Sequence, residues 1–158
     1  MRTGRLGITH AAVRTNNSMI LFWVGPYRMG IAAGALKEIR NDQGHTASEL
    51  GYQAILSTHA LLGVPAGPAN RLLVLRPGRV AVRVDRVERM IETSAILPLP
   101  KAFKGAEREW YFGFVLDGEM IVPVMNPETL EREALLSNLE ILTTHNVPQD
   151  VSQEAASI

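Results

Sequence analysis

The chain of 158 residues carries 16 Lys plus Arg against 16 Asp plus Glu, is 46% hydrophobic and 20% charged, and has no cysteine. Such a length fits one domain, or two small subdomains sharing a core, and excludes a large two-domain enzyme; the apolar content excludes a disordered chain. Balanced charge offers no field for a phosphate backbone, so nucleic acid is not an expected partner, and the lack of cysteine removes disulfides, thiolate nucleophiles and thiolate metal sites.

Residues 1–17 hold Arg2, Arg5 and Arg14, but the stretch Leu6 to Ala11 between them never becomes the continuous apolar core of a signal peptide. No other run approaches the roughly 18 apolar residues of a membrane span, so a cytoplasmic protein with no direct membrane insertion is expected. Residues 1–17 and 143–158 are polar and weakly periodic, and read as flexible tails.

Between them the apolar runs are short, rich in Val, Ile, Leu and aromatics, and punctuated by turn residues, as strands are. Met19 to Val24, then Gly25-Pro26-Tyr27, then Arg28 to Ala33 reads as a hairpin with Pro at the first corner of a type I or II turn. Leu72 to Leu75, Pro77-Gly78 and Arg79 to Val84 repeat the plan. Val82 and Val84 alternate with Ala81, Arg83 and Asp85, predicting one buried and one wet face. Trp110 to Leu116 and Glu119 to Val124 form a third hairpin through Asp117-Gly118, a type I′ signal.

One substantial helix of about four turns is predicted from Asn126, a good N-cap, with Pro127 at the first helical position and Leu130, Ala134, Leu135, Ile141 and Leu142 at helical spacing. A single shorter turn is expected from Thr58 to Leu62, stopping at Gly63.

The first two hairpins are related. Sliding the chain by 51 residues puts Leu21 on Leu72, Phe22 on Leu73, Pro26 on Pro77, Arg28 on Arg79, Met29 on Val80 and Ile31 on Val82; continued without a gap, it puts Leu36 on Val87 and Ile39 on Met90. Ala54 to Ser57 also echoes Pro123 to Asn126, each ending on a cap residue before Leu61 or Leu130. An internal duplication giving two similar small β units packed side by side is the expectation.

Candidate chemistry is thin. His10, His45, His59 and His145 share no ligand spacing, so no metal and no cofactor is implied. Ser57 beside His59 admits a small hydrolase, although no orienting acid or oxyanion loop is visible, and a β-barrel module binding a small ligand is a further alternative. Asp85, Glu88 and Glu92 interleaved with Arg83, Arg86 and Arg89 read as a solvated face of local ion pairs. Trp23, Tyr27, Trp110, Tyr111 and Phe112 read as packing.

The order of these pieces resembles the CheW-like domains. Phe22, Gly25, Tyr27, Gly30 and Ile31 followed by Leu36-Lys37-Glu38-Ile39 look like the family's opening, and Val82 to Glu88 looks like its apolar strand running into Val-Asp-x-Val. Ile96 to Pro100, Trp110 to Gly113, Gly118, and Ile121 to Pro127 with Leu130 continue the likeness, which runs from about Met19 to Leu130. The resemblance implies a mainly β fold of two packed, small, SH3-like five-stranded β-barrel subdomains with a C-terminal helix: about 18–70 and 71–126, then helix 127–142, within a domain of 18–142. It implies no enzymatic activity and a role as adaptor between chemoreceptor tips and the regulatory domain of a CheA-type histidine kinase. Leu36, Glu38, Ile39 and Arg40 match the family's Glu-Ile segment and are the implied partner-binding residues. Asn41 to Leu56 departs from the pattern: it is short and lacks the Gly-x-Ile-Asn-Leu-Arg-Gly type motif whose arginine loop contributes to receptor contact.

Overall fold

Turn chemistry fixes the hairpins. The structure, a computed structural model, describes residues 17–65, 71–93, 95–102, 105 and 107–138. Strands β1 (Asn17–Val24) and β2 (Tyr27–Ala32) pair antiparallel with Val24 opposite Tyr27, so Gly25-Pro26 alone makes the turn. Gly25 takes the first corner at φ +56 and Pro26 the second, the reverse of the expected placement and the pattern of a II′ turn. In β9 (Tyr111–Asp117) and β10 (Met120–Met125), Asp117 lies opposite Met120. The turn is therefore Gly118-Glu119 rather than Asp117-Gly118. Positive φ is confined to Gly118, so it is not the I′ turn expected. A four-residue connection around Pro77-Gly78 joins β5 (Arg71–Leu75) to β6 (Val80–Val84).

With β3 (Leu36–Asn41), β4 (Ala54–Ser57), β7 (Arg86–Thr93) and β8 (Leu97–Pro98), the protein is mainly β, in two sheets. One runs β7-β1-β2-β10-β9-β8 and the other β3-β5-β6-β4. The duplication is visible in this order, because β1-β2 and β5-β6 each sit centrally and carry a parallel strand, β10 and β4 respectively. The third strand of each repeat crosses over: β3 pairs with β5, and β7 with β1. Each sheet thus draws on both halves of the sequence, and a cut near residue 70 coincides with neither. The gapless slide also fails here. Ile39 faces Leu73 as Val87 faces Phe22, so Ile39 corresponds to Val87 and not to Met90. Three residues in a 3-10 turn, Ala33–Ala35, separate β2 from β3, whereas Asp85 alone separates β6 from β7.

The main core lies between the sheets. Ile20, Phe22, Val24, Met29 and Ile31 meet Leu56, Leu73, Leu75, Val80, Val82 and Val84, with Met125, Leu130 and Ala134 added from the C-terminal end. Val82 and Val84 face inward as expected. The other face of β6 is not wet: Ala81 is buried with Leu72 and Val74 under Leu50, Tyr52 and Ile55, and Asp85 is only 9% exposed. A third cluster joins Met19 and Leu21 to Val115, Val122 and Val124, so β1 is buried on both faces, which accounts for its unbroken apolar run.

Helices punctuate the sheets. α1 (Ala47–Leu50) carries a capping box between Thr46 and Glu49, a Thr-x-x-Glu signal that the hydrophobic pattern overshadows. α2 (Thr58–Leu62) stops at Gly63, φ +69, as anticipated. α3 (Glu107–Trp110) has no apolar periodicity to announce it. The C-terminal helix α4 is described over 127–138, and Asn126 Oδ1 accepts the Glu128 N–H at 3.0 Å, the predicted cap. The expected tails and residues 139–142 lie outside the described residues, except that Asn17 already belongs to β1. No helix among the described residues is long and apolar enough to cross a membrane.

Candidate functional site

The residues matched to the family's partner segment lie on β3, an edge strand. Antiparallel pairing with β5 sets Ile39 opposite Leu73, on the side of the main core, and Glu38 and Arg40 opposite Val74 and Leu72, on the outer side. Leu36 is buried in the main core at 6% exposure, so it cannot contact a partner and is withdrawn from the expected set. Ile39, by contrast, is 40% exposed, because the strand lies at the margin of its sheet. Arg40 is positioned by Tyr52: its Nη1 donates to the phenol oxygen at 2.9 Å, and the guanidinium lies 6.0 Å from the ring centre. Nothing in the sequence marks Tyr52, since only the fold brings it beside β3. Edge strand β3 thus carries the exposed apolar Ile39 on one face and Glu38 with the braced Arg40 on the other.

Ser57 ends β4, half-buried at the N-cap position of α2. His59 sits in α2 at 3% exposure, with Nε2 against Asp85 Oδ1, so its imidazole is enclosed in the core rather than presented to a substrate. Asp85 is no surface charge either. Its Oδ2 accepts the Gly25 N–H at 2.5 Å and its own N–H donates to the Trp23 carbonyl at 3.0 Å. Thr58 Oγ1 donates to the Arg83 carbonyl at 2.7 Å, tying α2 to the end of β6. Asp85 thus clamps the β1–β2 turn, the β6–β7 junction and α2 together.

The remaining charges are organised across strands. Glu88 accepts from Trp23 Nε1 at 2.9 Å and from Arg28 Nε and Nη2 at 3.0 and 2.7 Å. Asp117 accepts from Arg89 Nη2 at 2.6 Å and pairs with Arg28, and the Arg86 guanidinium lies 4.9 Å over the Trp23 ring. Arg83 pairs with Asp42. The expected solvated face of local pairs is therefore replaced by a network joining β1, β2, β7 and β9, with Arg89–Glu88 at 3.4 Å as a contact between sequence neighbours. The sequence gives the charges; only strand register gives their partners.

These contacts shift the carboxylates. The hydrogen bond from Arg28 holds Glu88 below its usual range, and Arg89, then Arg28, do the same for Asp117. Burial opposes ionisation of Asp42, but the Arg83 and Gly44 hydrogen bonds outweigh it, and its carboxyl is also lowered. Groups whose folded pKa is depressed stabilise above their unfolded values of about 4 and lose that contribution as pH falls through the folded values. The urea midpoint should therefore hold from neutral pH to about pH 5 and decline below about pH 4; a midpoint still flat at about pH 3 would show that the network contributes nothing.

No family model matches the sequence, and no curated protein matches it. Among solved structures, the crystal structure of the scaffolding protein TtCheW from Thermoanaerobacter tengcongensis is similar, with a TM-score of 0.56 at 11% identity over 70% of this chain and 89% of that one. At that identity the likeness is one of fold.

Proposed function

We propose that this chain is a non-catalytic, cytoplasmic adaptor of bacterial chemosensory signalling that couples chemoreceptors to a CheA-type histidine kinase. The observation that carries the reading is the fold shared with a chemotaxis scaffold, joined to the order of sequence pieces from Phe22 to Leu130. In this reading the two sheets form two SH3-like barrels, and the kinase regulatory domain is the primary partner. The receptor site is assigned to the edge strand β3, with Ile39 offering an apolar side chain from one face and Glu38 and Arg40 charged groups from the other. Enclosure of His59 favours no hydrolase. The direct test is size-exclusion chromatography of the chain with a CheA-type regulatory domain: co-elution supports the adaptor, and independent elution of both at high concentration rejects it.

The charged face of β3 is tested by Glu38→Lys. Glu38 is exposed and makes no core contact, so the melting temperature should stay within about 2 °C of the parent. Affinity for a receptor tip should fall roughly tenfold, about 1.4 kcal/mol, while kinase affinity stays near its starting value. A folded variant with undiminished receptor binding would remove β3 from the receptor site.

A further inference from the structure

The two repeats match strand for strand until their outer edges. Val124 of β10 pairs with Gly30 and Ile55 of β4 pairs with Ala81, each parallel, and Gly30 and Ala81 are equivalent positions of the duplication. β4 and β10 therefore hold the same place in their two sheets. β10 is covered on its outer side by β9, antiparallel, with Val124 opposite Gly113 and Pro123 opposite Phe114. β4 ends its sheet, and among the described residues no strand lies beyond it. Where the second repeat inserts β8, α3 and β9, the first has only α1 between β3 and β4.

A groove of about 360 Å³ lies at that edge, lined by Ile55, Leu56, Ser57, Ala60, Leu61 and Ser137. Neighbouring strand residues point to opposite faces, so a groove that meets three in a row runs along the backbone itself. None of its lining side chains is charged. The other sheet edges are guarded against strand addition: β3 by Lys37, Glu38 and Arg40, β7 by Arg86, Glu88, Arg89 and Glu92, and β8 by its two-residue length and Pro98. Among these edges β4, Ala-Ile-Leu-Ser, carries neither charge nor proline.

We propose that β4 is a strand-acceptor site, taking an extended, uncharged, apolar or aromatic segment of a partner protein antiparallel to β4, in the seat that β9 occupies on β10. Main-chain hydrogen bonds to Ala54–Ser57 supply the affinity, and the groove beside Ala60 and Leu61 selects alternate side chains. The internal model for the ligand is β9, whose residues before Asp117 read Tyr-Phe-Gly-Phe-Val-Leu. A charged segment would be desolvated there with no counter-charge to meet it. This inference stands on the duplication and the edge, independently of the kinase-coupling reading.

The probe is a blocked synthetic peptide with the sequence of residues 111–116, added to the full chain. Amide exchange at Ala54–Ser57 should slow by about tenfold or more at saturation, with β3 and β7 unaffected. Ala60→Glu places a charge in the groove at an exposed helix position, so it should leave the melting temperature unchanged and weaken peptide binding about tenfold. A peptide carrying Pro in place of Gly113 and Val115 should not bind, since it lacks two donors. Protection at β3 or β7, or none anywhere, overturns the proposal, as does undiminished binding by Ala60→Glu. β4 amides that already exchange as slowly as those of β5 in the protein alone also overturn it, because the chain itself or a second copy then holds the edge.

Discussion

Val82→Asp should yield no soluble folded protein. Val82 is fully buried in the main core, and strand pairing places Leu73 on one side of it and Leu56 on the other. A carboxylate there meets the apolar faces of both sheets and of α4. Leaving an ionised carboxyl uncompensated in such a site costs several kcal/mol, and protonating it to escape that cost still buries a polar acid. Total stability of a domain this size is about 5–15 kcal/mol, so the change removes most of the margin. Met90→Asp is the control. It alters an equally apolar strand residue that is 56% exposed on β7, and should shift stability by no more than about 0.5 kcal/mol. Soluble yield and urea unfolding of the two variants distinguish burial from mere β propensity: if Val82→Asp unfolds at the parent's midpoint, the inward register of β6 is wrong.

The sequence made the local structure legible and left the long-range pairing hidden, for a physical reason. Alternation of apolar residues reports that a strand has two faces, and Gly25-Pro26, Pro77-Gly78 and Asp117-Gly118 report reversals, so the β1–β2, β5–β6 and β9–β10 hairpins could be read although the turn types and the exact corner of the third could not. Neither signal names a non-adjacent partner. The crossing of β3 onto β5 and of β7 onto β1 depends on tertiary packing, and with it goes the fate of Ile39, exposed at a sheet edge, and Leu36, buried. Asp85 shows the same limit. In the sequence it is one acid among alternating charges, indistinguishable from Glu88; in the fold it falls at the one-residue junction between β6 and β7, where the chain dives beneath the β1–β2 turn. Duplication was visible because Pro26 and Pro77 and Arg28 and Arg79 recur, but the unequal connections after β2 and β6 conceal where the repeats slip out of register.

Asp85→Ala should cost roughly 1–3 kcal/mol, the desolvation cost of a buried polar group that loses its hydrogen-bond partner. The mutation takes away the acceptor for the Gly25 N–H and the group facing His59 Nε2, leaving both polar groups in a region where Asp85 is 9% and His59 3% exposed. Three elements meet at that carboxylate, so the loss loosens the β1–β2 turn and α2 together rather than one hydrogen bond. His59→Ala alone should cost less, because Asp85 keeps the Gly25 N–H. The double variant should be less destabilised than the sum of the two singles, since each single change already removes the His59–Asp85 contact, with a coupling of about 0.5–3 kcal/mol between directly contacting groups. Urea unfolding of the four proteins at neutral pH measures the cycle. Strict additivity would show that His59 and Asp85 act independently, and would reduce the clamp to the single hydrogen bond from Gly25.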